Sequence, residues 1–412
     1  MPLFRMDERA LPPADRLTSI TRHNGLAPAD LTDAIRAQPI SCGLNSTSCP
    51  ARNSHRHEAG AHTGLAFAAV CESGRFAPTA AGSEASAMTD DLEDELEVTM
   101  IRPLVNPSPL MVGQCRLGLC CLFAGVSEVR FRTTTATAMS KLPSAAAWHR
   151  LCALAEHNAK MLRLAVQHCW RLGIRAFRVR SDLLPLATHE QFAYRLADLP
   201  LRTRHHFAAA GRFAAQQGIR LSFHPDQFVL LNSPRSEVVR AAVRDLVLQA
   251  ELAELLGADV INIHAGGAYG DKREALRRLA DNIERLPDAV RRRLTLENDD
   301  HVYTVRDLLP ICRGLHLPLV YDVHHHRCNP DGLSVERASE LAWKTWDREP
   351  IFHISSPRGG WRSRDPTHHA DYIRPADFPT CWRELPMTVE VEAKAKEKAL
   401  LRLARAFREA AD

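Results

Sequence analysis

From residue 114 onward, short apolar runs alternate regularly with longer segments in which apolar residues recur at helical spacing. The short runs are rich in β-branched and other apolar residues, which is typical of strands buried on both faces of a parallel sheet. They predict eight strands, at 116–123, 176–181, 220–225, 260–266, 293–299, 319–325, 351–356 and 388–393. Amphipathic helices are predicted between them, for example at 145–173, 238–257 and 333–346. Glycines typical of helix ends stand at Gly173, Gly218 and Gly257.

This alternation predicts an α/β protein whose parallel sheet is covered by helices. Eight strand–helix units match a closed (β/α)₈ TIM barrel, which we assign to residues 111–412. A doubly wound open sheet is the alternative, but the glycine-rich fingerprint that would follow its first strand is missing from the sequence.

Residues 1–110 show no such rhythm. The stretch 41–60 is polar without any period, and residues 90–97 form the acidic run DDLEDELE. We predict a disordered N-terminal extension. A translation start at Met88, Met100 or Met111 would explain the same pattern, and a regulatory tail is a third interpretation.

Composition narrows the class of protein only a little. The formal charge of +4 and a pI of about 8.5 permit a nucleic-acid partner without requiring one. The 11 cysteines include no CxxC pair, which favours reduced thiols over a disulfide framework. The sequence lacks both a membrane-length apolar run and a signal-peptide layout, so we expect a cytoplasmic protein without membrane contact.

Metal-binding residue types recur where the predicted strands end. Strand ends of a parallel barrel share one rim, and active sites lie there. A single histidine at such a place is usually a hydrogen-bonded structural residue, but many ionisable groups at one rim must be paired or bound to metal. Their number and their mix of imidazole and carboxylate predict two or three divalent ions, as used in phosphodiester hydrolysis. The residues are His224, His264, Glu297, Asp322, His325, His353, His369 and Glu392.

The run YDVHHHRCN at 321–329 is the most distinctive single motif. In a regular strand, neighbouring histidines would point to opposite sides. Asp322 and His325 can both reach the rim if the chain turns outward after His324. We expect His324 and His326 to support the ligands or to face a substrate.

Seven segments resemble, in the same order, those of the ultraviolet-damage DNA endonucleases (the UvsE/UVDE family), and the resemblance spans about residues 114–405. It implies a (β/α)₈ barrel similar to endonuclease IV. It also implies a DNA repair enzyme that cuts on the 5′ side of cyclobutane pyrimidine dimers and 6-4 photoproducts, leaving a 3′-hydroxyl and a 5′-phosphate. The segments are FRVRSDLLPLATH (177–189), SFHPDQFVLLNSP (222–234), NIHAGGAYGDK (262–272), LTLENDD (294–300), DVHHHRCN (322–329), FHISSP (352–357) and VEAKAKE (391–397).

The resemblance assigns roles residue by residue. It implies that the eight rim residues are ligands of up to three ions, commonly manganese, with magnesium, zinc or cobalt as alternatives. Gln227 is expected to enter the duplex beside the lesion, while Phe228 stacks on bases. The partner is double-stranded DNA carrying ultraviolet lesions, and we expect a monomer. The residues expected to act in catalysis are Glu297, His264, Glu392 and Asp322, and those expected to contact DNA also include Leu119, Lys272, Arg358 and Lys396.

Three positions depart from the family's pattern. Ile351 stands where some members carry a modified, metal-bridging lysine, which puts the third ion in doubt. Leu119 stands where some members have a tyrosine that probes the duplex, and leucine keeps only the apolar wedge. Arg180 stands where serine is usual, and it suits either a phosphate contact or the surface.

Two other functions remain open at this stage. Sugar isomerases and epimerases of the xylose-isomerase type also place His, Glu and Asp at barrel strand ends. A lesion-binding protein without activity is the second alternative. The HPDQF loop at 224–228 and the shared order of motifs favour the endonuclease.

Overall fold

The computed structural model describes residues 107–410, so the predicted disorder and the alternative starts at Met88 and Met100 lie outside the described residues. The strands are β1 Met111–Val112, β2 Cys115–Cys120, β3 Ala176–Val179, β4 Arg220–Phe223, β5 Val260–His264, β6 Leu294–Glu297, β7 Leu319–Val320, β8 Ile351–Ile354 and β9 Thr388–Val391. The helices are α1 Ala136–Met139, α2 Ser144–Arg171, α3 Leu201–Gln216, α4 Ser236–Leu256, α5 Lys272–Glu284, α6 Asp288–Arg291, α7 Val305–Gly314, α8 Val323–Cys328, α9 Val335–Trp343 and α10 Glu397–Glu409.

Strands β2 to β9 are the eight predicted strands, and they run parallel in the order β7-β6-β5-β4-β3-β2-β9-β8. The two ends of this order meet, because the amide of His353 donates to the carbonyl of Tyr321 at 3.0 Å and Asp322 forms a parallel bridge with His353. The predicted (β/α)₈ barrel is therefore confirmed and the open-sheet alternative is wrong.

Side chains alternate between the two sides of the barrel wall, as β6 illustrates. Leu294 and Leu296 are fully buried in the hydrophobic core, which lies between the sheet and the helices. Thr295 and Glu297 point into the barrel, where both hydrogen-bond Asn262. Since buried polar groups need partners, the barrel interior holds a polar network that leads up to the rim.

The predicted strand 319–325 is only partly correct. It ends at Val320, and residues Val323–Cys328 form the short helix α8. Asp322 caps this helix, since its Oδ1 accepts the amide hydrogen of His325 at 2.8 Å. Asp322 and His325 are three residues apart and share one helical face, which explains how both reach the rim.

Leu119 does not contact solvent. Its side chain is 0% exposed and belongs to the hydrophobic core together with Leu117. Strand alternation places both leucines on the helix-facing side of β2. A buried side chain cannot enter a duplex, so the prediction that Leu119 contacts DNA is wrong.

The described cysteines agree with the expectation of reduced thiols. All eight cysteines between residues 107 and 410 are free, four of them buried and four half-buried. In the same part of the chain, no helix is both long enough and apolar enough to cross a membrane.

The barrel's contacts begin four residues before the predicted boundary at 111. The amide of Leu110 donates to the carbonyl of Gly173 at 2.8 Å, and Leu110 is 6% exposed. Arg175 donates to the carbonyl of Pro107 at 2.7 Å. These residues fasten the chain to the end of α2 and the start of β3.

A chain starting at residue 107 is expected to fold and to melt at a higher temperature than one starting at Met111. Burying Leu110 is worth about 1.5–3 kcal/mol, and 1 kcal/mol shifts the melting temperature of a barrel-sized domain by about 2–4 °C. We therefore expect a difference of about 3–12 °C in a thermal melt. Equal melting temperatures would show that residues 107–110 do not stabilise the barrel.

Candidate metal centre

The eight predicted ligands converge on the rim formed by the carboxyl ends of the strands. Two groups have donor atoms within 4.8 Å of one another, namely His224 with Glu297 and His353, and Glu297 with Asp322 and His325. Nε2 of His264 lies 3.8 Å from Glu297. The remaining two predicted ligands adjoin these groups, because Glu392 is 3.5 Å from Nδ1 of His353 and Nδ1 of His369 is 3.6 Å from Glu392.

Glu297 is the centre of this cluster and is 0% exposed. Its Oε1 lies 2.9 Å from Nδ1 of His353, and its Oε2 lies 3.0 Å from Nε2 of His224. Asn262 donates to Oε2 at 2.5 Å. Burial opposes ionisation, but the imidazoles of His353 and His264 outweigh it and hold the pKa of Glu297 well below its ordinary value. Glu297 is thus a carboxylate shared by both groups.

Asn298 fixes the second group. Its amide donates to the carbonyl of Asp322 at 2.9 Å, and its Oδ1 accepts the amide hydrogen of Asp322 at 3.0 Å. The carbonyl of Asn298 lies 3.0 Å from Nδ1 of His325. One residue after β6 therefore orients both candidate ligands of α8.

His324 and His326, which flank His325 in α8, are buried and do not face the solvent. His326 lies 2.5 Å from the hydroxyl of Tyr321 and 3.3 Å from Asp331. His324 is 0% exposed, and its ring packs 5.2 Å from that of Trp361. Of the two predicted roles, support of the ligands agrees with this placement and contact with a substrate does not.

The residues present fit divalent ions. Buried polar atoms are normally hydrogen-bonded, yet Nδ1 of His264 and Oδ2 of Asp322 are buried without a hydrogen-bond partner within the described residues. Both belong to the cluster, and Oδ1 of Asp322 is already engaged with α8. Imidazole and carboxylate donors suit manganese, zinc or iron.

Protonation competes with ion binding at two of the histidines. Burial disfavours the charged ring of His353, but Glu297 outweighs burial and raises its pKa to about 10. For His325, Asp322 and Glu297 likewise overcome burial and raise the pKa well above its ordinary value. Burial lowers the pKa of His264, so this ring is neutral and ready to bind.

The apparent affinity for Mn²⁺ is therefore expected to rise with pH. His353 and His325 have raised pKa values, so both are protonated near neutral pH in the ion-free protein, and ion binding must displace those protons. Linkage predicts a gain of at least about tenfold per pH unit between about pH 6 and 8. Isothermal titration calorimetry at several pH values, in buffers of different ionisation enthalpy, measures the affinity and the released protons. An affinity that falls with pH would contradict this assignment.

Sequence reasoning missed a buried arginine beneath the rim. Arg178 of β3 donates through Nη1 to Glu392 at 2.7 Å and through Nε to Glu390 at 2.5 Å. Ser222 donates to the same Glu390. The sequence did contain a signal for this buried pair, because Arg178 interrupts an apolar strand and Glu390 alternates with valines in β9. Both positions face the barrel interior.

The other two departures from the family pattern, like Leu119, lie outside this network. Arg180 pairs with Asp182 at 2.7 Å, and its guanidinium lies 5.7 Å from the ring of Phe131. Ile351 is 2% exposed and offers no donor atom beside His353.

The residues predicted to contact DNA differ in their exposure to solvent and in whether they already form an ion pair. Gln227 and Phe228 are exposed between buried Pro225 and Val229, and Phe228 is 73% exposed. Arg358 is exposed, whereas Lys396 is half-buried. Lys272 donates to Asp307 at 2.6 Å, so it is already paired.

Exposed large apolar side chains share one face of the barrel. Within residues 107–410, Leu122, Phe228 and Tyr269 follow the carboxyl ends of β2, β4 and β5, whereas Leu142 precedes α2 and Leu201 is the first residue of α3. Such segments form the rim that carries the cluster. An apolar surface around a polar centre marks an interaction face. The residues are Leu122, Leu142, Leu201, Phe228 and Tyr269.

Fold and rim together define the class, a (β/α)₈-barrel protein with a site suited to divalent ions. The family model described as UV-endonuclease UvdE matches residues 115–412. The chain is 38% identical over 244 residues to the UV DNA damage endonuclease of Bacillus velezensis, covering 56% of this chain and 74% of that protein. It is 39% identical over 262 residues to the UV-damage endonuclease of Neurospora crassa, covering 58% of this chain and 39% of that protein.

A solved structure agrees with these relatives. The crystal structure of SacUVDE superposes with a TM-score of 0.65 at 29% identity, covering 72% of this chain and 99% of that chain. The chain belongs to the UV-endonuclease UvdE family. It is a DNA repair endonuclease, as predicted, which decides against the sugar isomerase and the inactive lesion-binding protein.

Proposed function

We propose that this endonuclease depends on divalent metal ions and hydrolyses the phosphodiester on the 5′ side of ultraviolet photolesions in double-stranded DNA. The substrates would be cyclobutane pyrimidine dimers and 6-4 photoproducts, and the products a 3′-hydroxyl and a 5′-phosphate. The observation that carries the proposal is the sharing of buried Glu297 by two groups of candidate ligands on the rim. The names of the relatives supply the link to ultraviolet damage.

The chain's own residues would hold and orient the reacting groups. His224 and His353 would form one group of ligands with Glu297, and Asp322 with His325 would form the other. His264, Glu392 and His369 would complete the ligand set. Divalent ions held there would polarise the phosphate, lower the pKa of a water molecule and stabilise the leaving oxygen. We propose manganese as the metal, with magnesium, zinc and cobalt as alternatives.

The exposed side chains of the rim would recognise the duplex. Phe228 offers a ring for stacking on bases, and Gln227 offers an amide for hydrogen bonds to unpaired bases. Arg358, Arg362 and Arg364 are exposed on the segment that follows β8. Their guanidinium groups suit phosphate contacts, which fix the register of the protein on DNA. We expect one chain to be sufficient for this surface.

Incision of an irradiated, end-labelled duplex by the purified protein tests this function. With Mn²⁺ we expect one nick directly 5′ to each photolesion, no nick in the unirradiated duplex, and no nick after chelation of the metal. Incision that persists in excess chelator would refute metal dependence. Nicks on the 3′ side, or equal cutting of both duplexes, would refute the proposed specificity.

A further inference from the structure

The segment that follows β8, residues 357–373, folds back on itself beside the candidate metal centre. The amide of Arg358 donates to the carbonyl of His368 at 2.7 Å, which joins the outgoing arm of the segment to its returning arm. The returning arm carries His369, a predicted ligand whose Nδ1 lies 3.6 Å from Glu392. The segment is therefore tied to the cluster through its returning arm.

Three arginines of this segment carry positive charge without a partner. Arg358, Arg362 and Arg364 are exposed, and within the part of the chain that the structure describes their guanidinium groups form no hydrogen bond and no ion pair. The neighbouring carboxylate of Asp365 is directed elsewhere, because it accepts from the hydroxyl of Thr367 at 2.6 Å. Guanidinium groups match the geometry of phosphate oxygens, so these three side chains are suited to the backbone of a nucleic acid.

Trp361 lies between these arginines in the sequence and fastens the segment to the barrel. Its Nε1 donates to Oδ1 of Asp377 at 2.7 Å, and Asp377 is 6% exposed. Oδ2 of the same carboxylate accepts from the hydroxyl of Ser356 at 2.5 Å. Arg327 donates to the carbonyl of Asp377 at 2.8 Å, and its guanidinium lies 5.4 Å from the ring of Trp361. A buried network in which every member is satisfied is rigid, so Trp361 has one fixed position.

The ring of Trp361 also faces the candidate ligands. Its centroid lies 5.2 Å from that of His324, and the ring of His324 lies 5.0 Å from that of His369. One side chain therefore sets the distance between the arginines and the cluster. Side chains that are already held in place lose less conformational entropy when they bind.

We propose that residues 357–364 form an arginine loop, in which Arg358, Arg362 and Arg364 bind phosphates of the DNA backbone next to the cluster and Trp361 is the positioning residue that holds them. The inference rests on the proposed action on DNA and adds three phosphate contacts and the residue that sets their geometry. Phosphate contacts carry no sequence information. The arginine loop should therefore act on damaged and undamaged duplex alike, unlike the exposed loop that follows β4.

The salt dependence of binding to an unirradiated duplex tests the arginine loop, because it counts phosphate contacts. Each contact contributes about 0.9 to the slope of log affinity against log salt concentration. Replacing Arg358, Arg362 and Arg364 together by alanine in the full-length chain should reduce this slope by roughly 2–3. Trp361→Ala removes no charge, yet it should reduce the slope by at least about 1. Fluorescence anisotropy at several KCl concentrations measures the slope.

A combined variant separates a positioning role from an independent contact. Trp361→Ala added to the triple alanine variant should reduce the slope no further, because it acts through the arginines that are already absent. Trp361→Phe keeps the ring but lacks the N–H donor, and its slope should lie between those of Trp361→Ala and the wild type.

A second tryptophan provides the matched control. Trp346 is half-buried, donates through Nε1 to the carbonyl of Leu319 at 2.9 Å and has the guanidinium of Arg348 at 5.5 Å from its ring. It lies at the amino ends of the strands, away from the cluster. Trp346→Ala should leave the slope unchanged, and a thermal melt shows which variants are folded.

An unchanged slope in the folded triple alanine variant or in folded Trp361→Ala overturns the inference, and so does an equal loss in Trp346→Ala. These results leave the proposed function intact, because incision of the irradiated duplex tests it separately. A wild type that shows the expected slopes but makes no nick 5′ to photolesions overturns the proposed function and leaves the arginine loop in place.

Discussion

Glu297→Gln is expected to lower the rate of incision at irradiated DNA by at least about a thousandfold while leaving the barrel folded. Glu297 is the carboxylate that both candidate ion groups share, and glutamine of nearly equal size removes its charge. Ions that stabilise the charge of the reacting phosphate contribute several kcal/mol, and about 4 kcal/mol corresponds to a factor of about a thousand in rate. Single-turnover incision with saturating Mn²⁺ measures the loss.

His264→Ala should reduce incision in the same direction. Its Nε2 lies 3.8 Å from Glu297, so a role in ion binding agrees with its placement. Asp259→Asn is the matched control, because Asp259 is a carboxylate at the opposite end of the barrel that pairs with Arg220. Full activity of folded Glu297→Gln with stoichiometric Mn²⁺ would sink the assignment of the cluster.

The barrel and its rim could be predicted from the sequence because both depend on local patterns. Strand runs such as 293–299 alternate with amphipathic helices, and the strand ends of a parallel barrel meet at one face. His224, His264 and Glu297 could therefore be grouped before any distance was known. The structure brings them within a few ångströms of one another, as the rim argument requires.

Other features depend on long-range contacts that no local pattern encodes. The network of Arg178 joins β3 to β9 across more than 200 positions of sequence, so neither residue alone indicates the pair. The prediction of a strand over 319–325 was wrong beyond Val320. Asp322 caps a helix, and this cap outweighed the strand preference of the apolar residues before it. The prediction that Leu119 contacts DNA failed because a position in a strand does not show which side of the strand faces the helices.

The N-terminal extension before the barrel stays a prediction from the sequence alone. Disorder in residues 1–110 is an expectation from their lack of period, and residues 1–106 lie outside the described residues. Pro107 and Leu110 contact the barrel although their sequence has no helical or strand rhythm. Contacts of irregular segments are specified by the surface that receives them, which the sequence of the segment does not reveal.

Replacing Gln227 and Phe228 together by alanine is expected to weaken binding to damaged duplex by about 2–4 kcal/mol, which is about 30- to 700-fold. Photolesions weaken stacking and pairing, so the bases around them are cheaper to separate. Phe228 is 73% exposed, and its loop is held by the carboxylate of Asp226, which accepts the amide hydrogen of Phe228 at 3.1 Å. An exposed ring on a fixed loop is suited to fill a vacated stack.

Binding to undamaged duplex should change much less, because phosphate contacts do not depend on base stacking. Both affinities are measured by fluorescence anisotropy at one salt concentration, in the Glu297→Gln background so that the DNA stays intact. Phe228→Tyr is the matched control, since it keeps an aromatic ring and should retain most of the preference for damage. Equal losses on damaged and undamaged duplex would show that Gln227 and Phe228 bind DNA in general and do not probe the lesion.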